Sequence, residues 1–241
     1  MNNSTAVTPT VLTPVQAVAE LDAIVAGIES RIAQWAATTS EWLTGLTGKA
    51  TGTGLDKFIR PSVELLIKDP DISAAGAGFI ANVGLLGPDR SYISWWQGTD
   101  MERVDALANF SPTAASRYVK TDWFRIPIET GRGYVTGPYV DFLCTDEYVL
   151  TFTHPVRAEG AEQFGGIVGM DMTLEWLERR GLPLLQLIGD RATLVDGEGR
   201  SIVSAASHIR AGDLVSSPDH TTTFSVGSRF QLLSEAGLRF E

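Results

Sequence analysis

A single cysteine, Cys144, leaves the chain no partner for an internal disulfide, so the fold must rest on packing alone. Basic residues are scarce too. Nineteen Lys and Arg stand against 29 Asp and Glu, a formal net charge of −10, and no Lys/Arg run occurs. Phosphate-binding faces concentrate positive charge, so nucleic acid is excluded as the expected partner. Long hydrophobic runs are absent. Past the N-terminal 19 residues, the longest uncharged stretch, Ile72 to Pro88, holds four glycines and an asparagine and reads as strand and turn, not as a membrane span. The start, Met1 to Thr5, has neither the basic segment nor the apolar run of a signal peptide, and a cytoplasmic location is expected. His154, His208 and His220 lack ligand spacing, and no Gly-x-Ser-x-Gly elbow, phosphate loop or zinc-type cluster is present, so neither cofactor nor metal is expected. Cys144 with His154 is read as structural, not as a thiol–imidazole pair.

What the chain does have is ordinary core material: 44% of its 241 residues are hydrophobic. Residues 1–12 are polar and Thr/Pro-rich and read as a disordered lead-in. Thr13-Pro14-Val15-Gln16 then carries a cap, a first-turn proline and a capping box, which predicts a long helix over 13–48. Its apolar positions, Val18, Leu21, Val25, Ile28, Ile32, Trp35, Trp42 and Leu46, with Thr39 in the missing place, repeat as a heptad seam. That seam packs either along its own domain or against a second copy in a homodimer. A helix over 55–68 with a bend near Pro61, strands within 77–83 and 92–97, and a short helix over 123–130 follow. Strands near 135–143, 147–157 and 165–172 and a helix over 173–187 complete the middle of the chain. Beyond residue 190, Asp196-Gly197 marks a hairpin, and one last strand is predicted from Thr222 to Leu233.

Four segments concentrate chemistry: Thr121-Asp122-Trp123-Phe124, Thr136-Gly137-Pro138-Tyr139-Val140-Asp141, Thr151-Phe152-Thr153-His154-Pro155-Val156, and Gly165-Gly166-Ile167-Val168-Gly169-Met170-Asp171. In a strand, alternate residues share a face, so Tyr139 points with Asp141, and Asp171 with Gly169 and Ile167. A glycine beside a carboxylate on one face is expected to leave empty space there. Carboxylates in apolar settings are costly unless paired, and a cationic ligand is such a partner. Aromatic rings add cation–π attraction of about 0.5–2 kcal/mol each, which makes Trp96, Trp123 and Phe124 candidates. The bland alternatives stay open. Asp171 could cap the helix at Thr173 or accept backbone donors, Asp141 could pair with Arg132 or Arg125, and Trp96 and Trp123 could be plain core.

In this order the segments resemble the Cache sensor domains, extracytoplasmic relatives of the PAS fold found in bacterial chemoreceptors and sensor kinases. The resemblance spans roughly residues 50–190. It implies an α+β fold in which a long N-terminal helix packs on a PAS-like central antiparallel sheet of about five strands. The sensor domain is expected over 49–189, with a C-terminal β-hairpin subdomain over 190–241. It further implies that Tyr139, Asp141 and Asp171 grip a ligand's ammonium group. The chain departs from the family twice. It has no flanking membrane helix, which suggests a stand-alone soluble member, and Thr121 stands where amino-acid sensors place an arginine for the ligand carboxylate. The expected function is therefore non-catalytic sensing of an amine-bearing or cationic metabolite, amino-acid-like in part. Trp96, Asp122, Trp123, Phe124, Tyr139, Asp141 and Asp171 would line the site, and occupancy would pass to a separate regulatory protein. A hydrolase using the Asp141/Asp171 pair and a purely structural dimerisation module are the alternatives.

Overall fold

In the computed structural model, the described residues are 12–88, 90, 92–104, 118–140, 147–158, 164–215 and 221–235. Helix α1, Pro14–Thr44, begins as the sequence predicts. Thr13 accepts from the Gln16 amide, the Gln16 side chain returns the bond to the Thr13 amide, and Pro14 opens the first turn. Its buried stripe runs Val18, Leu21, Val25, Ile28, Ile32, Trp35, Thr39 and then Leu43. The last step is four residues, so Leu43 takes the place expected of Trp42. A straight helix of 3.6 residues per turn drifts off a 3.5-residue seam, and the stripe follows the helix. Trp42 stacks instead on Phe58, with ring centroids 4.3 Å apart. The stripe is covered by the chain itself, against the later helix and strands of both sheets. Pairing of two copies through this seam is left without its apolar surface.

Helix α2, Gly52–Lys68, is capped by Thr51 and carries Pro61 within it. Strands β1 (Gly76–Ala81), β2 (Tyr92–Gln97) and β3 (Glu102–Arg103) precede a short helix α3, Asp122–Thr130. Then come β4 (Tyr134–Val140), β5 (Tyr148–Val156), β6 (Gly166–Thr173) and helix α4 (Leu174–Ile188). The strands form one antiparallel sheet in the order β3-β2-β1-β6-β5-β4. Register assigns each residue to a face. Gly76, Gly78 and Ile80 of β1 share a face with Gln97, Trp95 and Ile93 of β2 and with Asp171, Gly169 and Ile167 of β6. Ala77, Phe79 and Ala81 share the other with Trp96, Met170 and Val168, and that face joins α1, α2 and α4 in the main core. Fully burying a phenylalanine such as Phe79 or Phe152 contributes about 1.5–3 kcal/mol, so this face holds most of the fold's apolar stabilisation. The opposite face carries a smaller cluster, Ile80, Trp95 and Ile167, closed by Tyr118 and Phe124 from the α3 segment.

The C-terminal segment was expected as a hairpin and one last strand. It forms a four-stranded sheet, β8-β7-β10-β9, from Thr193–Val195 (β7), Ser201–Ser204 (β8), Thr221–Val226 (β9) and Phe230–Glu235 (β10). The Asp196 turn joins β7 to β8, its carboxylate accepting from the amides of Glu198 and Arg200 at 2.8 Å each. The predicted final strand is two, folded back at Gly227, whose φ of +55° suits glycine. That turn is clamped to α1. Gly227 N donates to Asp22 and Ser228 N to both oxygens of Glu29, and a side chain at Gly227 would meet Val25 at 2.4 Å. Architecture and class agree with the α+β fold read from the sequence.

Candidate functional site

The site is built on the sheet face away from α1. Asp171 sits in the middle of β6, 5% exposed, and does not cap the following helix; Thr173 does that, accepting from Trp176 N. Opposite Asp171 on β5 lies Thr151, which donates its hydroxyl to the carboxylate at 2.6 Å. Tyr139 bonds to the same threonine oxygen. A hydroxyl has one proton, and that of Thr151 is committed to Asp171, so Tyr139 must be the donor in its pair. The result is a relay from phenol to threonine to carboxylate.

Tyr139 reaches this position through an irregularity in β4. Thr136 pairs with Thr151 and Tyr139 with Val149, so Gly137-Pro138 adds one residue to the strand. Without that insertion Pro138 would face Val149. Only glycine fits at 137: φ is +117° and a Cβ would stand 2.6 Å from the Val149 carbonyl oxygen.

The glycine beside Asp171 does not leave a hollow. A Cβ at Gly169 would stand 3.2 Å from two carbons of the Trp95 ring, and one at Gly78 would come 2.8 Å from a third. The indole lies across both glycines and floors this face. Trp95 was not singled out by the sequence reading, which chose its neighbour. Trp96 points to the opposite face, in the main core, with the Arg103 guanidinium 5.9 Å from its ring centroid. Its cation–π partner is therefore already within the chain, and it takes no part in the site.

The other candidates separate in the same way. Phe124 is buried against Trp95, Tyr118 and Ile167, and Trp123 packs half-buried on Tyr118 and Phe124 with centroids 6.4 and 6.2 Å away. Asp122 is exposed and belongs to a surface ion-pair ladder: Arg125 bonds Asp122 at 2.8 Å and Glu129 at 2.7 Å. It faces solvent rather than the carboxylate on β6, and Arg125 is occupied. Asp141 and Cys144 lie outside the described residues. Thr121 spends its hydroxyl on the Tyr118 carbonyl at 2.6 Å, so nothing there replaces the missing arginine. Among the described residues, three further polar atoms are buried without a partner on this face: Trp95 Nε1, Gln97 Oε1 and Thr136 Oγ1.

Two open clefts flank the outer edge of β4. One, of about 590 Å³, runs between the start of α3, Tyr139 and the Asp196 turn; the other, of about 650 Å³, lies between α1, His154 and Arg229. Tyr139 and Trp123 line the first, whereas Asp171 lines neither. The buried polar atoms, not cleft size, make this face the candidate, because open volume carries no chemistry of its own. Among the described residues, no group of His, Cys, Asp and Glu is arranged to hold a metal ion.

Residues 89–179 match the family model of the methyl-accepting chemotaxis protein-like first PDC sensor domain. The sensory domain of the Campylobacter jejuni chemoreceptor Tlp3 has the same fold, with a TM-score of 0.61 at 15% identity over 92% of each chain. The ligand-binding domain of the Pseudomonas aeruginosa PAO1 amino acid chemoreceptor PctC, solved in complex with GABA, gives 0.57 at 15% identity over 92% of this chain and 94% of that one. The extracellular domain of the putative histidine kinase soHK1S-Z6 gives 0.59 at 14% identity, covering 91% and 90%. No curated protein matches the chain in sequence. These findings overturn the expected cytoplasmic location: the soHK1S-Z6 domain of the same fold is the extracellular domain of a histidine kinase. The cytoplasmic expectation rested on the lack of a signal peptide and of a membrane segment in the sequence. Among the described residues no helix is long and apolar enough to cross a membrane.

Proposed function

For a chain that carries a PDC sensor domain of the Cache type, we propose that the sheet face holding Asp171 binds a small amine-bearing metabolite without transforming it and relays occupancy to a separate partner protein. One observation carries this reading: a carboxylate 5% exposed in mid-sheet, held by the Thr151 hydroxyl and backed by the Tyr139 phenol. A carboxylate so deep attracts a cation more strongly than one in water, because the surrounding dielectric is low. The rings of Trp123 and Phe124 stand over the same side and favour a cationic guest. Asp141, outside the described residues, is proposed as a further contact by its place in the Gly-Pro-Tyr-x-Asp sequence alone. GABA, held by the PctC domain, bears an amino group, which supports the class of ligand. Thr121 in place of an arginine argues against a strong carboxylate grip and so against a standard α-amino acid.

Polar atoms buried on this face also weigh against a purely structural module, which would fill it with apolar side chains. Thermal-shift measurements with a panel of simple amines, amino acids and dicarboxylates test the reading, since a ligand stabilises by RT ln(1 + [L]/Kd), about 2.7 kcal/mol at 100 Kd. Amines should raise Tm in the wild type and not in Asp171→Asn, whose shape and acceptor for Thr151 are retained. A shift with dicarboxylates alone would overturn it.

A further inference from the structure

We infer that the cleft between α1, the end of α3 and the β9–β10 turn is a second binding site, which takes a carboxylate borne on a small apolar body. The inference stands apart from the amine reading, because the cleft shares no lining residue with the face of Asp171 described above. The chain as a whole is acidic, with a net charge of −10. This cleft, of about 650 Å³, reverses that balance: its lining includes Arg132, Arg229 and His154 against a single acid, Glu29. That acid is already engaged. Both Glu29 oxygens accept from the Ser228 amide at 3.0 Å, and Oε1 also accepts from the Ser228 hydroxyl at 2.7 Å. Arg132 and Arg229 have neither a hydrogen bond nor an ion pair among the described residues. His154, whose Nδ1 donates to the Pro155 carbonyl at 3.1 Å, adds no negative charge in either protonation state.

Arg229 is also held in place. Its guanidinium carbon lies 4.4 Å from the centroid of the Tyr134 ring, and the turn that carries it is pinned to α1 through Gly227 and Ser228. A stacked guanidinium uses its face and keeps its edge, so the in-plane N–H fork that matches a carboxylate is left for a ligand. Arg132, two residues before Tyr134 in the chain, brings a second guanidinium to the same cleft. A local excess of cations in a concave, partly apolar setting gathers anions. The rest of the lining chooses among them. Ala33 of α1 and Ile126 of α3 are partly exposed in the cleft, and a bare inorganic ion would leave both wet. A carboxylate with an apolar tail covers them while its oxygens meet the arginines.

Isothermal titration of the whole chain with hexanoate, acetate, 1-hexanol and inorganic phosphate tests this directly. Hexanoate should bind about tenfold or more tightly than acetate, which lacks the tail, and than hexanol, which lacks the charge. Arg132→Gln and Arg229→Gln should each weaken hexanoate about tenfold, the loss of one charge-assisted hydrogen bond. Both side chains are exposed, so the free variants should melt within about 2 °C of wild type. The amine-induced rise in Tm should persist in both, which separates this site from the face of Asp171. Absence of hexanoate binding, or hexanoate affinity unchanged in the two variants, overturns the inference and leaves the amine reading in place. Phosphate bound as tightly as hexanoate, or hexanol bound as tightly, overturns the assignment of a carboxylate with an apolar body.

Discussion

Asp56 and Asp171 are carboxylates built against opposite faces of the same sheet, and their surroundings differ in kind. Asp56, on α2, takes the Tyr92 hydroxyl at 2.8 Å, the Ser94 hydroxyl at 2.7 Å and the Arg103 guanidinium at 3.1 Å. Arg103 also donates to Tyr92 and to the Ile93 carbonyl. This cluster brings its own cation and ties α2 to β2 and β3. On the other face, Asp171 is served by a hydroxyl relay, and unmet polar atoms of Trp95, Gln97 and Thr136 share its side of the sheet. Asp56 is paired by two hydroxyls and a guanidinium and acts as a strut, although Arg103 Nε in its cluster is itself without a partner among the described residues. The proposed amine would meet the unpaired polar atoms that lie on the face of Asp171.

The sharpest way to separate the faces is through their glycines. At Gly78 a Cβ would stand 2.3 Å from the Ser94 carbonyl oxygen and 2.6 Å from the Trp95 Cα, so the β2 backbone itself must move. Gly78→Ala should cost about 3 kcal/mol or more, or prevent folding, as read by chemical denaturation. Gly169→Ala meets only side chains, the Trp95 ring at 3.2 Å and the Thr153 methyl at 3.3 Å. It should cost about 1 kcal/mol and instead lift the indole, weakening amine binding. Equal costs for the two would mean the ring is as rigid as the strand, and that it is core and not floor.

Next in size is the pair of carboxylates. Asp56→Ala strands Arg103 and two hydroxyls, and with both ion-pair partners nearly 30% exposed the loss should be about 2 kcal/mol. Ligand affinity should hardly change. Asp171→Asn should do the reverse, altering the free protein by about 0.5 kcal/mol or less while removing the ligand-induced rise in Tm. A large loss of stability in Asp171→Asn would make it a second strut.

The same contrast explains what could be read from the chain. The start of α1 was legible because a capping box is local, four residues deciding one turn. The class of fold followed from the resemblance to the Cache domains, and the depth of Asp171 from its apolar neighbours in the strand. Alternation, however, yields two faces without saying which one the helices cover, so Trp96 was chosen although Trp95 is the ring on the face of Asp171. The run Gly76-Ala77-Gly78-Phe79 held the clue: bulk on one face packs on helices, while glycines on the other make room for a large neighbour. Asp122 was misjudged for a related reason. Its neighbours in sequence are aromatic, but on a helix its neighbours in space are Arg125 and, through it, Glu129. The clamp of Gly227 and Ser228 on α1 joins residues some 200 positions apart, and no local pattern announces it.

The smallest effect probes the strut alone. The Tyr92 hydroxyl is pushed up to about 12, first by burial and then by its bond to Asp56, with Arg103 pulling the other way. An unfolded tyrosine titrates near 10. The folded state thus favours the neutral phenol, and that stabilisation is whole below pH 10 and fades as pH rises toward 12. Tyr92→Phe lacks it at every pH. At neutral pH the variant should melt a few degrees below wild type, about what one hydrogen bond is worth in a chain of this size. The gap should close between pH 10 and 12, and because the remaining tyrosines titrate in both proteins, only the difference counts. A gap that persists or widens across that range would show that the phenol is not the donor to Asp56, and the pairing of that carboxylate would have to be drawn from Ser94 and Arg103 alone.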